Sequence, residues 1–66
     1  MKNSIKVERA RHNLTQSDLA EKVGVSRQTI NSIETKKYVP SAVLALKIAQ
    51  VFQMLVEHLF ELEDDD

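Results

Sequence analysis

The chain has 66 residues and no cysteine, which suits one small domain and excludes a disulfide framework, a thiolate metal site and a cysteine nucleophile. Its formal net charge of −1 is unevenly distributed: residues 1–60 hold nine bases and five acids, or +4, whereas residues 61–66 hold five acids, or −5. The basic part permits nucleic-acid binding, because phosphate attraction depends on where the charge lies.

Several classes of protein are disfavoured. The chain has no leader peptide and no apolar run near the roughly 20 residues that span a bilayer, so we expect a cytoplasmic protein without membrane contacts. A single glycine excludes a phosphate-cradling loop, and His12 and His58 stand alone rather than at metal-ligand spacing. We therefore expect no enzyme, metal, cofactor or small-molecule ligand.

The first two helices are predicted from their caps. A helix is expected from a cap at Asn3 or Ser4 to about His12. Thr15 and Asp18 have capping-box spacing and predict a second helix over residues 16–23, followed by a turn at Gly24. At the N-terminus of this helix, Gln16 and Ser17 are expected to bind phosphate.

A third helix is predicted after Ser26, and its two sides differ in chemistry. Ile30 and Ile33 lie on one side, and the opposite side carries Arg27, Gln28, Asn31, Ser32 and Thr35. Arginine can pair with guanine, and glutamine or asparagine with adenine, in the major groove of DNA. We predict a recognition helix over residues 27–36 that reads bases through Arg27, Gln28, Asn31 and Ser32. A merely solvated helix would look similar in isolation, but the preceding helix and the glycine turn favour recognition.

The segment after the third helix is predicted to contact the DNA backbone. Pro40 cannot donate an amide hydrogen and disfavours helix at Val39, so residues 35–40 should form a loop. Phosphate contacts are expected from Thr35, Lys36, Lys37 and Tyr38. Lysines that only interact with the helix C-terminus are the alternative, especially for Lys36.

The remaining residues are expected to complete the core and offer a surface for a partner. Ser41 caps a fourth helix over residues 42–52, whose apolar residues, including Ala42 and Leu46, fill an arc of roughly 220°. Residues 54–62 hold six apolar side chains in nine positions, more than a terminal helix needs. The candidates for a homodimer interface are Met54, Leu55, Val56, Leu59 and Phe60. The alternative is that this segment only finishes the core.

The run TQSDLAEKVGVSRQTINSIE, residues 15–34, resembles the helix-turn-helix of Cro and lambda repressor, the Xre family of small regulators. The runs VSRQTIN, KKYVPS and LALKIAQVF all fit that family, so the resemblance covers nearly the whole chain. It implies an all-α, compact bundle of five short helices, with the helix-turn-helix at helices 2 and 3. It also implies a partly buried ion pair between Arg9 and Glu34 and a brace from Gln16 to the recognition helix. A solvated Arg9 is the alternative.

The chain departs from this family at two positions. Relatives commonly have glycine where Gln53 stands, and a small polar residue or proline where Leu55 stands. Helices 4 and 5 could therefore merge, but we expect a turn with Gln53 in a strained conformation. Natural drift and deliberate engineering explain these departures equally well.

These patterns together predict a DNA-binding domain over residues 1–62 and a solvated, frayed acidic tail over residues 63–66. We expect a homodimeric transcriptional regulator, acting as a repressor, that binds a palindromic operator in double-stranded DNA. Its two recognition helices should lie about 34 Å apart, so the inverted repeat should have half-sites one helical turn apart. The alternative function is an antitoxin-like or adaptor module that binds another polypeptide through residues 54–62.

Overall fold

The computed structural model describes residues 1–66 and contains five helices and two short strands. The helices are α1 (Ile5–Arg11), α2 (Gln16–Val23), α3 (Arg27–Glu34), α4 (Ala42–Val51) and α5 (Val56–Leu59). Strand β1 (Lys2–Asn3) precedes α1 in the sequence, and strand β2 (Phe60–Glu61) follows α5. The five predicted helices are all present, and none is long and apolar enough to cross a membrane.

One hydrophobic core holds the helices together. Every helix contributes at least one side chain that water does not reach, and these residues are Ile5, Leu19, Ile30, Ile33, Ile48 and Leu59. Burial of each such side chain stabilises the fold by about 1.5–3 kcal/mol. The two isoleucines predicted to face inward from α3 therefore anchor it, and its polar side is left to solvent.

Helix α3 is two residues shorter than the recognition helix predicted over residues 27–36. It ends at Glu34 rather than at residue 36, because Lys36 has a φ of 64° and a left-handed residue cannot continue a right-handed helix. The backbone N–H groups of Lys37 and Tyr38 both donate to the carbonyl of Ser32, at 2.8 and 3.2 Å. This tight ending turns the chain away from α3.

The fourth helix buries a narrower arc than the sequence indicated. Ala42 is exposed, and 55% of Leu46 is exposed, although both were assigned to the apolar arc. The helix also stops at Val51, with Phe52 as its C-terminal cap. Because α5 has only four residues, it is too short to cover α4 along its whole length.

The turn between α4 and α5 is confirmed, and the merged helix is wrong. Gln53 adopts a φ of 55°, and the N–H of Met54 closes the turn by donating to the carbonyl of Ala49 at 3.0 Å. Leu55 occupies the N-cap position of α5 and supplies no side-chain hydrogen bond. Gln53 thus takes the left-handed conformation that glycine adopts at lower cost.

The two chain ends meet, which the sequence did not suggest. Strands β1 and β2 pair antiparallel, with Lys2 opposite Glu61 and Asn3 opposite Phe60. Asn3 also donates from Nδ2 to the carbonyl of Ile33 at 2.9 Å, which ties this strand to α3. The N-terminal strand therefore contacts the end of α3 as well as the C-terminal segment.

The acidic end of the chain folds back rather than standing free in solvent. The amino group of Met1 lies 3.0 Å from Glu63 Oε1 and 3.0 Å from Asp66 Oδ1. Lys36 Nζ lies 3.3 Å from the same Glu63 oxygen. These contacts differ from the expected frayed tail, because the β1–β2 pairing brings the amino group beside the acids.

Candidate nucleic-acid interface

Local hydrogen bonds and one glycine fix both ends of α2 and the start of α3. Thr15 Oγ1 accepts from the N–H of Asp18, and Asp18 Oδ2 accepts from the N–H of Thr15, each at 3.0 Å. The backbone hydrogen bond from Thr15 holds the pKa of Asp18 below its ordinary value. Gly24 ends α2 with a φ of 78°, and Ser26 Oγ then accepts from the N–H of Thr29 at 3.1 Å. The predicted capping box, glycine turn and serine cap are all present.

The exposed side of α3 presents two long polar side chains. Arg27 and Gln28, in the first turn of the helix, are exposed, and their side chains bond to no other protein atom. Ser32 is half-buried, and it lines a shallow surface depression together with Gln28 and Tyr38. Unbonded donors and acceptors at the start of an exposed helix can reach the edges of DNA bases.

An ion pair holds the far end of α3. Arg9 Nε donates to Glu34 Oε2 at 2.7 Å and Arg9 Nη2 donates to Glu34 Oε1 at 3.0 Å, with side-chain exposures of 15% and 7%. The hydrogen bonds to Glu34 raise the pKa of Arg9, which is charged at every physiological pH. Arg9 Nη1 also donates to the carbonyl of Leu14 at 3.1 Å. One guanidinium therefore connects α1, the segment before α2 and the end of α3.

Gln16 joins α2 to α3 through its side-chain amide. Its Nε2 donates to Asn31 Oδ1 at 3.1 Å and to Glu34 Oε1 at 3.2 Å. The resemblance implied a brace from Gln16 to the recognition helix, and the structure places the brace on Asn31 and Glu34. Asn31, predicted from the sequence only as a base reader, is therefore also a partner of Gln16, because helical spacing alone does not reveal contacts between two helices.

The residues assigned to phosphate lie in different environments. Lys37 is exposed, whereas Lys36 reaches Glu63 and so points toward the C-terminal segment. Thr35 Oγ1 donates to the carbonyl of Asn31 at 2.9 Å, so its hydroxyl hydrogen is already engaged. Tyr38 is 46% exposed. Ser17 is exposed at the start of α2, where the first backbone N–H groups of a helix have no intrahelical acceptor.

The candidate dimer residues divide into two groups. Leu59 and Phe60 are 1% and 7% exposed, so they finish the core and cannot meet a partner in this conformation. Met54 and Val56 are half-buried, and Leu55 is 57% exposed. Exposed apolar side chains that the sequence did not assign to an interface lie elsewhere: Val7, Val39, Val43 and Leu46.

Known proteins match this chain in sequence over its whole length. Residues 5–59 match the family model HTH_3, described as helix-turn-helix. The chain is 59% identical to an HTH-type transcriptional regulator of Methanocaldococcus jannaschii over 66 residues, which is the whole of both proteins. It is 50% identical to one of Bacillus subtilis, again over the whole of both. A third, from Archaeoglobus fulgidus, is 47% identical over the whole of this chain and 94% of the relative.

Proposed function

This chain belongs to the Xre-type helix-turn-helix family of DNA-binding transcriptional regulators, and from that premise we propose that it is a homodimeric repressor of an inverted-repeat operator. The observation that carries this proposal is the exposed first turn of α3, where Arg27 and Gln28 have no protein partner. In the major groove, Arg27 pairs with guanine and Gln28 with adenine. Ser32, half-buried beside them, reaches only a base or sugar that lies close to the helix.

Phosphate contacts set the position of the domain on the duplex. We assign them to Lys37, to Tyr38 and to the start of α2, where Ser17 offers a hydroxyl and a backbone N–H. Gln16 contributes only its backbone N–H, since both hydrogens of its side-chain amide are donated to Asn31 and Glu34. Lys36 and Thr35 are weaker candidates because each already has a protein partner.

A second copy of the chain completes the operator-binding unit. Two related half-sites about 34 Å apart require two recognition helices on one face of the duplex. Leu55 stands exposed at the start of α5, and Val43 and Leu46 lie one turn apart on the exposed side of α4. We place the subunit contact on these side chains, because Leu59 and Phe60 are buried in the hydrophobic core. A dimer bound across a promoter represses by excluding the polymerase.

The experiment is sedimentation of the pure protein across concentration, alone and with a pool of random duplexes from which bound sequences are read. A dimer that enriches an inverted repeat with centres about ten base pairs apart supports the proposal. Leu55→Glu and Leu46→Glu should each favour the monomer. Glu57→Gln is the control, because Glu57 is an exposed residue of α5 outside the proposed contact, and this change should not favour the monomer.

The competing function is a module that binds another polypeptide through residues 54–62. Exposure of Leu55 and Leu62 favours it, and burial of Leu59 and Phe60 leaves it a smaller apolar surface than the sequence indicated. Only binding to DNA releases many counterions, so an affinity that falls steeply as the salt concentration rises would distinguish DNA binding from polypeptide binding. A monomer that enriches no sequence would overturn the repressor proposal.

A further inference from the structure

The amino group of Met1 and the side chain of Lys36 converge on one carboxylate near the C-terminus. Met1 N lies 3.0 Å from Glu63 Oε1, and Lys36 Nζ lies 3.3 Å from the same oxygen and 3.4 Å from Glu63 Oε2. A second carboxylate joins them, since Asp66 Oδ1 accepts from the Met1 amino group at 3.0 Å. Two cations from distant parts of the chain therefore share one pair of anions.

The acidic tail, residues 63–66, is folded into a turn that presents these carboxylates. The backbone N–H of Asp66 donates to the carbonyl of Glu63 at 3.1 Å, and Asp66 Oδ2 accepts from the backbone N–H of Glu63 at 2.7 Å. Only 25% and 23% of the Glu63 and Asp66 side chains are exposed. Asp64 and Asp65, between them, are exposed and form no ion pair. The turn thus directs two of its four acids at the two cations.

The two cations lie beside the segment proposed to contact the DNA backbone. Lys36 directly precedes Lys37 and Tyr38, to which we assign phosphate contacts. Met1 lines one small surface cavity together with Lys36 and Tyr38. Free ammonium groups here would add positive charge to a surface that phosphates approach, and the carboxylates bound to them cancel that charge.

A DNA phosphate is chemically able to take the place of Glu63 between the two cations. A phosphate oxygen, like a carboxylate oxygen, is negatively charged and accepts hydrogen bonds without donating any. The ammonium groups of Met1 and Lys36 can only donate, so they suit either anion. The acidic tail and the backbone of a duplex therefore compete for the same two cations.

We propose that the Met1 amino group and Lys36 form a latent phosphate-binding site, which the acidic tail masks. Glu63 and Asp66 thereby act as an autoinhibitory contact that weakens binding to duplex DNA. This inference rests on the proposed function, since it needs the loop after α3 at the DNA backbone. Because phosphate contacts carry no sequence information, the mask lowers the affinity for operator and for random duplex by the same factor.

The test measures the affinities of the full-length chain for the selected operator and for random duplex across salt concentrations. Glu63→Gln with Asp66→Asn unmasks both cations. Each freed cation that binds a phosphate should steepen the fall of log affinity with log salt by about 0.9, and the affinity for both duplexes should rise roughly tenfold or more. Asp64→Asn with Asp65→Asn is the matched control: it removes the same charge but frees no cation, so its slope should stay near that of the unaltered chain.

The two cations can then be removed one at a time. In the unmasked variant, Lys36→Ala should remove about half of the added slope, and acetylation of the Met1 amino group should remove the other half. Equal gains from the two double variants would show that the tail acts only through its net charge, and would overturn the inference. A gain that survives both Lys36→Ala and acetylation would also overturn it, and either result would leave DNA binding intact. Binding of no duplex by the unaltered chain or the unmasked variant would overturn the proposed function, and this inference with it.

Discussion

Arg9 and Glu34 are 25 positions apart in the chain and form a two-bond ion pair that water barely reaches, with N···O distances of 2.7 and 3.0 Å. The pair ties α1 to the last residue of α3. Through the bond from Gln16 to Glu34 it also connects to α2. The position of α3, the proposed recognition helix, therefore depends on side chains that need not touch DNA.

Removal of either partner should be costly. Glu34→Ala leaves the guanidinium of Arg9 largely buried without its counter-ion, and the free energy of unfolding should fall by about 3 kcal/mol. Replacement of both, Arg9→Met with Glu34→Leu, should cost less than Glu34→Ala alone, since no buried charge is left behind. Urea unfolding measures both. Glu63→Ala, which breaks ion pairs nearer the surface, should cost less than Glu34→Ala, and a loss from Glu34→Ala no larger than that from Glu63→Ala would contradict the role given to the pair.

Gln53 should be a site where glycine stabilises the protein. Its φ of 55° is unfavourable for a residue with a side chain, and Gln53→Gly should raise the free energy of unfolding by about 1 kcal/mol. Gln50→Gly provides the matched control: this exposed residue lies inside α4, where glycine should lower the stability by about 1 kcal/mol. Thermal unfolding of the two variants should shift in opposite directions, and shifts in the same direction would be inconsistent with a strained turn.

What the sequence reveals here is local chemistry. Thr15, Gly24 and Ser26 act on neighbours within a few residues, so the ends of α2 and the start of α3 could be predicted from residue type and spacing. The left-handed conformation of Lys36 could not, because lysine has no preference for it. Pairing of β1 with β2, burial of Phe60 and the contact from Gln16 to Asn31 join distant parts of the chain. No periodicity within one segment encodes such contacts.

The contact between the two chain ends should depend on pH. A hydrogen bond to Asp66 raises the pKa of the Met1 amino group above its ordinary 8.0, so its contribution is complete below that pH and is lost as pH rises through the raised value. The hydrogen bond from the Met1 amino group lowers the pKa of Glu63 below its ordinary 4.5. Hydrogen bonds from the Glu63 backbone and from the Met1 amino group lower the pKa of Asp66 below its ordinary 3.8. Their contribution is complete above those values and is lost as pH falls through the lowered ones.

The contact should therefore be intact between about pH 5 and pH 8. Acetylation of the Met1 amino group should remove the alkaline part of this dependence, measured as the urea midpoint against pH. Asp64→Asn, an exposed acid without an ion pair in the structure, should leave the profile unchanged. An acetylated chain with the same alkaline profile as the free one would show that the contact does not contribute.

Lys36 and Lys37 should differ in their effects on DNA affinity. Lys37→Ala should weaken binding to all sequences alike and reduce the slope of log affinity against log salt by about 1. Lys36→Ala should have a smaller effect, since Lys36 already pairs with Glu63. Glu63→Gln releases Lys36 and removes a negative charge, so it should raise the affinity for random duplex. Equal slopes for the two lysine variants would indicate that Lys36 leaves Glu63 when DNA binds.

We propose that the exposed side of α3 reads bases, and the ratio of affinities for the selected operator and for random duplex at one salt concentration tests this most directly. Arg27→Ala should lower this ratio by about 5- to 150-fold, equivalent to about 1–3 kcal/mol, and relax the requirement at one base pair. Arg11→Ala is the control: it is an exposed arginine two positions from Arg9 in α1, so it points away from the side that contacts α3. Its ratio should stay at the value of the unaltered chain. An unchanged ratio for Arg27→Ala would contradict the assignment of α3 as the recognition surface.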